Sequence, residues 1–541
     1  MRRRMHFKMT INGWDPIKTP ALRLPRRALV IIAAAASLAL MAASARAADA
    51  SLTTQTRVPL LTTVAIEGST VYPAPQLFDT YRDQVGKPIT RESARAIADA
   101  LTARYERDGF VKPEIGFDDS LTGRGVLRVQ VHEARIARVL IEGDAGRHRA
   151  ALESIGARLE QARPLRRDDV PQALREMRRI AGMSVTINTR RATDIRNAFE
   201  LTVKADYSPT TGLVRMNNRG TDQVGPAFLL GQVMFNGLFG REESLGLIFS
   251  AATNPEEYLG GGLYFDTALG DGGTRGNLLL FRSHSAPDES PVNYTDEYDR
   301  RRATLRVSYP LRQQPGSSLT FSGAFDYDDL VIDAQGFVFR EDRLRIVEAA
   351  LRGSWRGAGA MQYSTNFIVR KGLNGLGAGL QALDLPDDPR RADFLLLQLS
   401  GTVYRRLGTD WSMRFDAFGQ QSAYILPDSE RFKIGGDRLG RGFEVAEIAG
   451  DKGVGGKLEL RRDLVDSQGL LGRLSAYGFY DFGAAWKQDR PGRESAATAG
   501  TGFALQGSSV TGYLEVAAPL TGADIEGKRR ASVFAELSYR F

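Results

Sequence analysis

The chain has 541 residues, 57 glycines, four histidines and no cysteine. A chain of this length forms more than one domain, and the absence of thiols excludes disulfides and cysteine-based metal sites. Its formal net charge of +8 would suit a nucleic-acid partner only if the charge were spread over the folded part of the chain.

The positive charge is concentrated in the first 47 residues, which contain nine basic residues and one acidic residue. An apolar stretch at 28–43 and a small-residue pattern at 45–47 accompany these charges, as in a secretory signal. We therefore predict a signal peptide at 1–47 and a short N-terminal segment at 48–61. An uncleaved membrane anchor is the alternative, although the apolar stretch is short for a span. The mature chain is nearly neutral, so no nucleic-acid partner is expected.

Residues 62–206 contain an internal repeat. The segment Val64–Gly68 recurs as Val139–Gly143, which indicates a duplicated unit. Both copies read strand, helix, helix, strand, strand, and the second strand of the first copy is expected at 111–117. Each copy has apolar residues at helical spacing. Those residues are Ile97, Leu101 and Tyr105 in the first copy and Val170, Leu174 and Met177 in the second. The repeat resembles a tandem pair of POTRA domains, with predicted bounds 62–134 and 135–206.

Beyond residue 207 the helical spacing mostly disappears. No apolar run there is long enough for a membrane helix, so a membrane could be crossed only by strands. Segments of about ten residues alternate in polarity and are separated by Gly, Asp, Asn and Pro, as in a transmembrane barrel. In the last segment one face carries the residues Val533, Ala535, Leu537, Tyr539 and Phe541.

The predicted fold class is therefore an α+β periplasmic POTRA tandem followed by an all-β transmembrane barrel. The barrel is expected to occupy residues 207–541 with about sixteen antiparallel strands, since single-chain bacterial barrels have an even number. A soluble all-β array such as a propeller is the alternative, but no blade repeat is visible.

The stretch 425–454 is the most irregular part of the predicted barrel. It is long and rich in glycine, and loops of this length are usually functional or disordered. Further on, Asp481 lies on a predicted strand with Phe479 and Gly483 on the same face. A carboxylate at this position should face a wet lumen rather than lipid, and there it needs a cation.

Two motifs resemble those of the superfamily that includes outer-membrane assembly proteins and two-partner secretion transporters. One lies in the irregular stretch and the other on the strand with Asp481. The matching residues are Gly435, Gly436, Arg441, Gly442 and Phe443 in the loop and Phe479, Asp481 and Gly483 in the strand.

The resemblance implies that the stretch 425–454 folds into the barrel and that Arg441 pairs with Asp481. Gly442 is then expected to allow a tight turn, and Phe443 to pack against the inner wall. The sequence departs from the family pattern at Gly440, since an apolar residue commonly stands there. Few residues separate the signal from the first repeat, so no plug helix is predicted.

Two POTRA-like units, rather than a longer series, favour a two-partner secretion transporter of the haemolysin secretion/activation type. The resemblance implies that such a protein translocates a haemolysin- or adhesin-like, β-helical partner exoprotein. It places the barrel in the outer membrane and the N-terminal domains in the periplasm. Outer-membrane lipid and the outer-membrane assembly machinery are the other expected partners, and Tyr539 and Phe541 would form the C-terminal assembly signal.

Two other functions remain open from the residues alone. The first is an outer-membrane barrel assembly factor of the same superfamily, and the second is a passive solute channel. The sequence has no phosphate-binding loop, no nucleophile elbow and no cluster of metal ligands. No enzymatic activity, catalytic residue, metal or cofactor is therefore expected.

Overall fold

The computed structural model describes residues 58–541 except 222–223, 241, 271, 288–295, 315, 335, 384–386, 467–471 and 522–529. The predicted signal peptide at 1–47, and most of the segment where no plug helix is expected, lie outside the described residues. Within the described part of the chain, no helix has the length and hydropathy needed to cross a membrane.

The first module is a three-stranded sheet covered by helices. Its elements are β1 (Thr63–Glu67), α1 (Ala74–Leu77), α2 (Arg91–Arg107), β2 (Glu114–Asp118) and β3 (Val126–His132). Thr90 and Ser93 form a capping box at the start of α2, which satisfies amides that the helix leaves free. The predicted apolar face of α2 is fully buried in the core. Leu61, placed by prediction in the preceding segment, also belongs to this core.

The second module repeats the first. Its elements are β4 (Arg135–Glu142), α3 (Arg149–Gln161), α4 (Asp169–Arg179), β5 (Met183–Arg191) and β6 (Ala198–Tyr207). In each module the first strand pairs in parallel with the last, which lies in the centre of the sheet. Gly68 and Gly143, which close the two repeated segments, both have positive φ, and a Cβ on either would overlap a carbonyl oxygen of the central strand. The repeat therefore ends in glycine for a steric reason.

The rest of the chain is made of strands. They are β7 (Thr210–Asn217), β8 (Phe228–Asn236), β9 (Ser244–Ala252), β10 (Leu259–Ala268), β11 (Arg275–Ser285), β12 (Asp296–Gln314), β13 (Ser317–Ala334), β14 (Phe337–Arg356), β15 (Met361–Gly372), β16 (Gly379–Ala382), β17 (Leu395–Leu407), β18 (Trp411–Ser422), β19 (Phe432–Ile434), β20 (Ile448–Gly450), β21 (Lys452–Asp466), β22 (Arg473–Trp486), β23 (Glu494–Gln506), β24 (Val510–Pro519) and β25 (Ser532–Arg540).

Among the described residues, sixteen of these strands form a closed antiparallel barrel, which confirms the predicted fold class and strand number. The short β16 adds to one end of β14, and β19 pairs with β20 inside a loop. The barrel closes where β25 pairs with β7, from Glu536 opposite Asn217 to Arg540 opposite Leu213. Closure leaves no free edge for the barrel.

Side chains alternate between the two faces of the wall. On β22, Tyr480 and Phe482 are 42% and 43% exposed, whereas Phe479 and Asp481 are buried. The last strand follows the expected pattern, since Val533, Leu537 and Tyr539 are exposed and Ser538 is buried. Apolar side chains therefore face outward, and polar ones face the lumen.

Three predicted boundaries differ from the structure. The barrel begins at Thr210 rather than at 207, because Tyr207 still pairs with β5. The strand expected from Val111 begins at Glu114, because the Val111 amide donates to the carbonyl of Leu165 in the second module. The irregular stretch spans 423–451 rather than 425–454, because residues 452–454 pair with β22.

The position of the modules defines the two ends of the barrel. The chain enters β7 directly from the second module, so β7 starts at the end that faces the modules. Since neighbouring strands are antiparallel, the connections after β7, β9, β11, β13, β15 and β18 lie at the opposite end. The stretch 423–451 follows β18 and therefore enters the barrel from that distant end.

Candidate functional site

The stretch 423–451, called here the inward loop, folds back between β18 and β21. Its strands β19 and β20 form a small hairpin, and residues 435–447 form its tip. Asp451 fastens the base, since it accepts hydrogen bonds from the amides of Leu426 and Gln488 at 2.8 and 2.7 Å. The two arms therefore leave the wall at a fixed point.

Apolar side chains of the inward loop fit against glycines of the barrel wall. A Cβ on Gly453 would overlap the ring of Phe432, and one on Gly483 would lie 2.9 Å from Ile434. The buried residues that form this contact are Phe432, Ile434, Leu439, Phe443, Ala485 and Ala496. Phe443 thus packs against the inner wall, and Gly483 makes room for the loop.

The glycines of the loop motif have different structural roles. Gly435, Gly436 and Gly440 have φ of +117°, +91° and +82°, a region that suits glycine. Gly442 lies in the expected turn, in which the Phe443 amide donates to the Gly440 carbonyl at 3.0 Å. It does not have a positive φ, so this position of the turn does not require glycine. A Cβ on Gly442 would lie 2.8 Å from Thr498 Cγ2, so its role is close packing. Gly440, the departure from the family pattern, begins this turn and is the residue in it that has a positive φ.

Arg441 and Asp481 meet inside the barrel. The Nε and Nη2 atoms of Arg441 donate to Oδ2 and Oδ1 of Asp481 at 3.0 and 2.9 Å. The main-chain amide of Arg441 also donates to Oδ2, at 3.2 Å. Both side chains are buried, and Asp481 has no exposed surface. A planar guanidinium matches a carboxylate in this two-pronged geometry, which lysine cannot reproduce.

Further carboxylates surround the same guanidinium. Nη1 of Arg441 lies 3.3 Å from Glu459 and 3.5 Å from Glu515. The guanidinium carbon lies 3.5 Å from the centre of the Phe479 ring, an arrangement in which the cation is attracted by the ring face. Glu515 also accepts from the Tyr477 hydroxyl at 2.8 Å and pairs with Arg219. The wall therefore offers the loop tip three carboxylates, although Glu459 and Glu515 also pair with arginines of the barrel.

The first arm of the inward loop has a second ionic anchor, which the sequence did not reveal. Glu430 is buried, and its Oε2 lies 2.9 Å from Nε of Arg370 on β15. Arg370 also contacts Glu348 at 2.5 Å and Asp326 at 3.0 Å. The side-chain amide of Gln420 donates to the main-chain carbonyl of Glu430 at 2.8 Å. The loop is thus held to the wall at two separate places.

Part of this environment could have been found from the sequence. Glu515 lies between Leu514 and Val516, and Glu459 lies between two leucines, so alternation alone places both carboxylates in the lumen. Which luminal charges meet depends on strand register and on the path of the loop. Neither is encoded in the local pattern.

The residues of the predicted C-terminal signal lie at the seam of the barrel. Tyr539 is opposite Val214 on β7, and Phe541 exchanges main-chain hydrogen bonds with Gly212 at 2.8 and 3.1 Å. A Cβ on Gly212 would overlap the Phe541 ring. Tyr539 and Phe541 both remain exposed on the outer face.

The second module contacts the barrel through the connection that follows β8. Arg147 donates to the carbonyl of Gly237, and the Tyr207 hydroxyl donates to the carbonyl of Asn236 at 2.8 Å. His148 packs edge-on against Tyr207, and burial together with the neighbouring Arg147 lowers the pKa of His148. Arg179 adds an ion pair with Glu242 at 3.3 Å.

These features define a class of protein: an outer-membrane barrel with a loop folded into its lumen and two modules at its periplasmic end. The family model described as haemolysin secretion/activation protein ShlB/FhaC/HecB matches residues 199–507, which is more than half of the chain. The chain belongs to this family, which confirms the resemblance drawn from the two motifs.

The outer membrane transporter CdiB of Dickeya dadantii (strain 3937) is 23% identical over 365 residues. The match covers 66% of this chain and 64% of that relative, which is less than two thirds of its length. CdiB from Escherichia coli has a similar structure, with a TM-score of 0.71 at 19% identity over 91% of this chain and 92% of that chain. CdiB from Acinetobacter baumannii has a TM-score of 0.60 at 14% identity over 89% and 90%.

The similarity to these two CdiB structures establishes the fold. Family and barrel together place the protein in the outer membrane, with its N-terminal modules in the periplasm.

Proposed function

We propose that this chain translocates a partner exoprotein across the outer membrane by two-partner secretion. The partner would be an unfolded, haemolysin- or adhesin-like chain that becomes β-helical outside the cell. The periplasmic modules capture it, and the barrel lumen is its route. Membership of the secretion family supports this function.

The inward loop is the observation on which the proposal rests. It enters a sixteen-stranded barrel, whose lumen is otherwise wide enough for an aqueous channel. The Arg441–Asp481 contact holds its tip against the wall. A translocating chain has to pass the tip, so the loop must shift or leave its pocket. Ion pairs and hydrogen bonds, unlike covalent links, permit such reversible movement.

The modules offer a site for capture at a sheet edge. Sheet order leaves β5 at the edge of the second module, and among the described strands it pairs only with β6. Its nine residues, Met183–Arg191, present main-chain donors and acceptors on the other side. An extended substrate can add there as a strand, and main-chain bonding tolerates varied sequence.

The sequence has no nucleotide-binding motif, so the proposal takes its driving force from the substrate. Folding of the exoprotein outside the cell would make its passage irreversible. A partner rich in β-structure suits both capture and folding. It is captured by strand addition in the periplasm, and it folds by strand pairing outside the cell.

The neighbouring reading frames would first be searched for a large, β-helix-like protein, and the test is secretion of that protein. Cells would carry the wild type, Arg441→Ala or the control Arg438→Ala, and heat-modifiable gel mobility would verify barrel folding. Arg438 is exposed on the same loop and forms no ion pair among the described residues. We expect secretion with the wild type and the control, and its loss with folded Arg441→Ala, because the proposal requires a tip that returns to its pocket as well as one that leaves it.

Secretion that is unchanged when the gene is deleted would refute export of this partner. A deletion that instead depletes many unrelated outer-membrane barrels would favour an assembly factor. Steady ion conductance that does not depend on residues 62–206, without export, would favour a passive channel.

A further inference from the structure

The outer face of β10–β13 carries a row of apolar side chains in register. Leu263 is opposite Leu280, Leu280 is opposite Ala303, and Ala303 is opposite Tyr327. Leu263, Leu280 and Tyr327 are 47%, 41% and 39% exposed. The row therefore forms an apolar floor on the side of the wall that faces lipid.

The next row, two residues closer to the cell exterior, is basic. Gly261 is opposite Arg282, and Arg282 is opposite Arg301. Both arginines are exposed, and like charges directly opposite each other on neighbouring strands destabilise a sheet. An anion bound between them would remove this repulsion.

The nearby carboxylates leave Arg301 without a partner. Asp329 is opposite Arg301 on β13, but it pairs with Arg345 at 2.7 Å and accepts from the Tyr327 hydroxyl at 2.7 Å. Among the described residues Arg301 forms no ion pair, and Arg282 reaches only the partly exposed Asp299, at 3.4 Å. An exposed pair at that distance contributes little.

A groove joins the two rows. It has a volume of about 490 Å³ and is lined by residues of both, including Gly261, Leu263, Leu280, Arg282, Arg301 and Tyr327. Gly261 has no side chain to fill it, and an added Cβ would meet only the Ile248 carbonyl, at 3.7 Å. The groove is therefore open toward the lipid, with an apolar floor and a basic rim.

The height of the basic rim matches a lipid headgroup. On β12 the exposed apolar side chains run from Tyr309 through Val307 to Leu305, and Arg301 follows on the same face. Eight residues of a tilted strand span roughly 20 Å along the barrel axis, and the apolar band is about 25 Å tall. Arg301 lies at the end of the barrel that is distant from the periplasmic modules. The rim is thus at the extracellular margin of the membrane.

We infer that this groove binds a phosphorylated, acylated lipid of the outer leaflet. Its phosphate lies between Arg282 and Arg301, because a guanidinium group can donate two parallel hydrogen bonds to two phosphate oxygens. An acyl chain lies on Leu263, Leu280 and Tyr327. The inference depends on the outer-membrane location and not on the exported partner.

The test is binding of purified lipopolysaccharide to the full-length protein in detergent, measured by native mass spectrometry. The variants are the double substitution Arg282→Gln/Arg301→Gln and, separately, Gly261→Leu, which fills the groove without changing charge. The control is Arg405→Gln on β17, an exposed arginine at the periplasmic end of the wall. Heat-modifiable mobility would verify folding of each.

We expect the double variant to bind lipopolysaccharide about tenfold more weakly or worse, Gly261→Leu to lose binding, and Arg405→Gln to match the wild type. Lipopolysaccharide without its phosphates should not compete with the intact lipid, and neither should phosphatidylglycerol nor free phosphate. Equal binding by the double variant or by Gly261→Leu would overturn the site. Effective competition by phosphatidylglycerol would overturn its assignment to the outer leaflet.

Discussion

The two anchors of the inward loop have opposite polarity. At the tip the loop contributes the cation, Arg441, and the wall contributes the carboxylates. On the first arm the loop contributes the carboxylate, Glu430, and the wall contributes Arg370. Reversed polarity prevents either anchor from substituting for the other, because the tip arginine in the Arg370 pocket would meet a like charge.

The anchors also differ in how much depends on a single contact. Arg370 shares its guanidinium among Glu430, Glu348 and Asp326, and the last two are parts of the wall. Loss of Glu430 therefore leaves Arg370 paired. Asp481 has no exposed surface and pairs with Arg441 alone among the described residues. Loss of Arg441 should thus release the tip completely, whereas loss of Glu430 should loosen the first arm only in part.

The largest expected effect is that of Arg441→Ala. It leaves Asp481 buried without its ion-pair partner, and removing one partner of a buried pair costs about 3–5 kcal/mol. The readout is maleimide labelling of Thr498→Cys, since the chain has no cysteine. Thr498 is fully buried beneath Gly442, and its hydroxyl has no hydrogen-bond partner among the described atoms. We expect labelling to accelerate at least about tenfold.

Arg438→Ala is the matched control for this experiment and should leave labelling slow. If Arg441→Ala also leaves Thr498→Cys protected, the ion pair does not hold the tip. Arg441→Lys should fall between the wild type and the alanine variant, because a single ammonium keeps the charge but loses the two-pronged contact.

Glu430→Gln should have a smaller effect, confined to the arm. It keeps the size of the side chain and removes one charged hydrogen-bond partner, which costs about 1.5–3 kcal/mol. We expect faster hydrogen–deuterium exchange in residues 425–434 with Thr498→Cys still protected. Glu444→Gln, an exposed carboxylate of the same loop, is the control. Release of the tip by Glu430→Gln would show that the two anchors act as one.

Alanine substitutions at two glycines of the tip should separate the effect of close packing from that of backbone strain. Gly442→Ala places a Cβ 2.8 Å from Thr498 Cγ2, and overpacking of this kind costs about 1–3 kcal/mol. Thr498→Ser removes that methyl group and should restore part of the protection of residues 439–447 against hydrogen exchange. Gly440→Ala is strained by its φ of +82°, so the same second substitution should not rescue it. Equal rescue of both variants would contradict this assignment.

The sequence predicted those features that depend on local pattern. Alternation placed Asp481 in the lumen, and the turn residues that separate the strands gave their number. The pairing of Arg441 with Asp481 came from the family resemblance, since nothing local links two residues so far apart. The Glu430–Arg370 anchor was missed for the same reason, because it depends on the path of the loop. Gly442 lies in the expected turn, but its need for space was missed, because a glycine required for φ and a glycine required for space look identical in a sequence.

The smallest expected effect concerns Lys457, a wall residue that contacts the loop at a point between the two anchors. Its Nζ donates to the main-chain carbonyl of Asp437 at 2.7 Å, and its Cα is opposite Asp481 in the wall. Lys457→Gln removes a charged donor from a neutral acceptor, at a cost of about 0.5–1.5 kcal/mol. It also makes the pocket around Arg441 more acidic, which favours the tip arginine. These opposing changes should raise exchange only near residue 437 and leave Thr498→Cys protected. Labelling as fast as in Arg441→Ala would mean that the contact of Lys457 with the loop backbone is as necessary for holding the tip as the arginine.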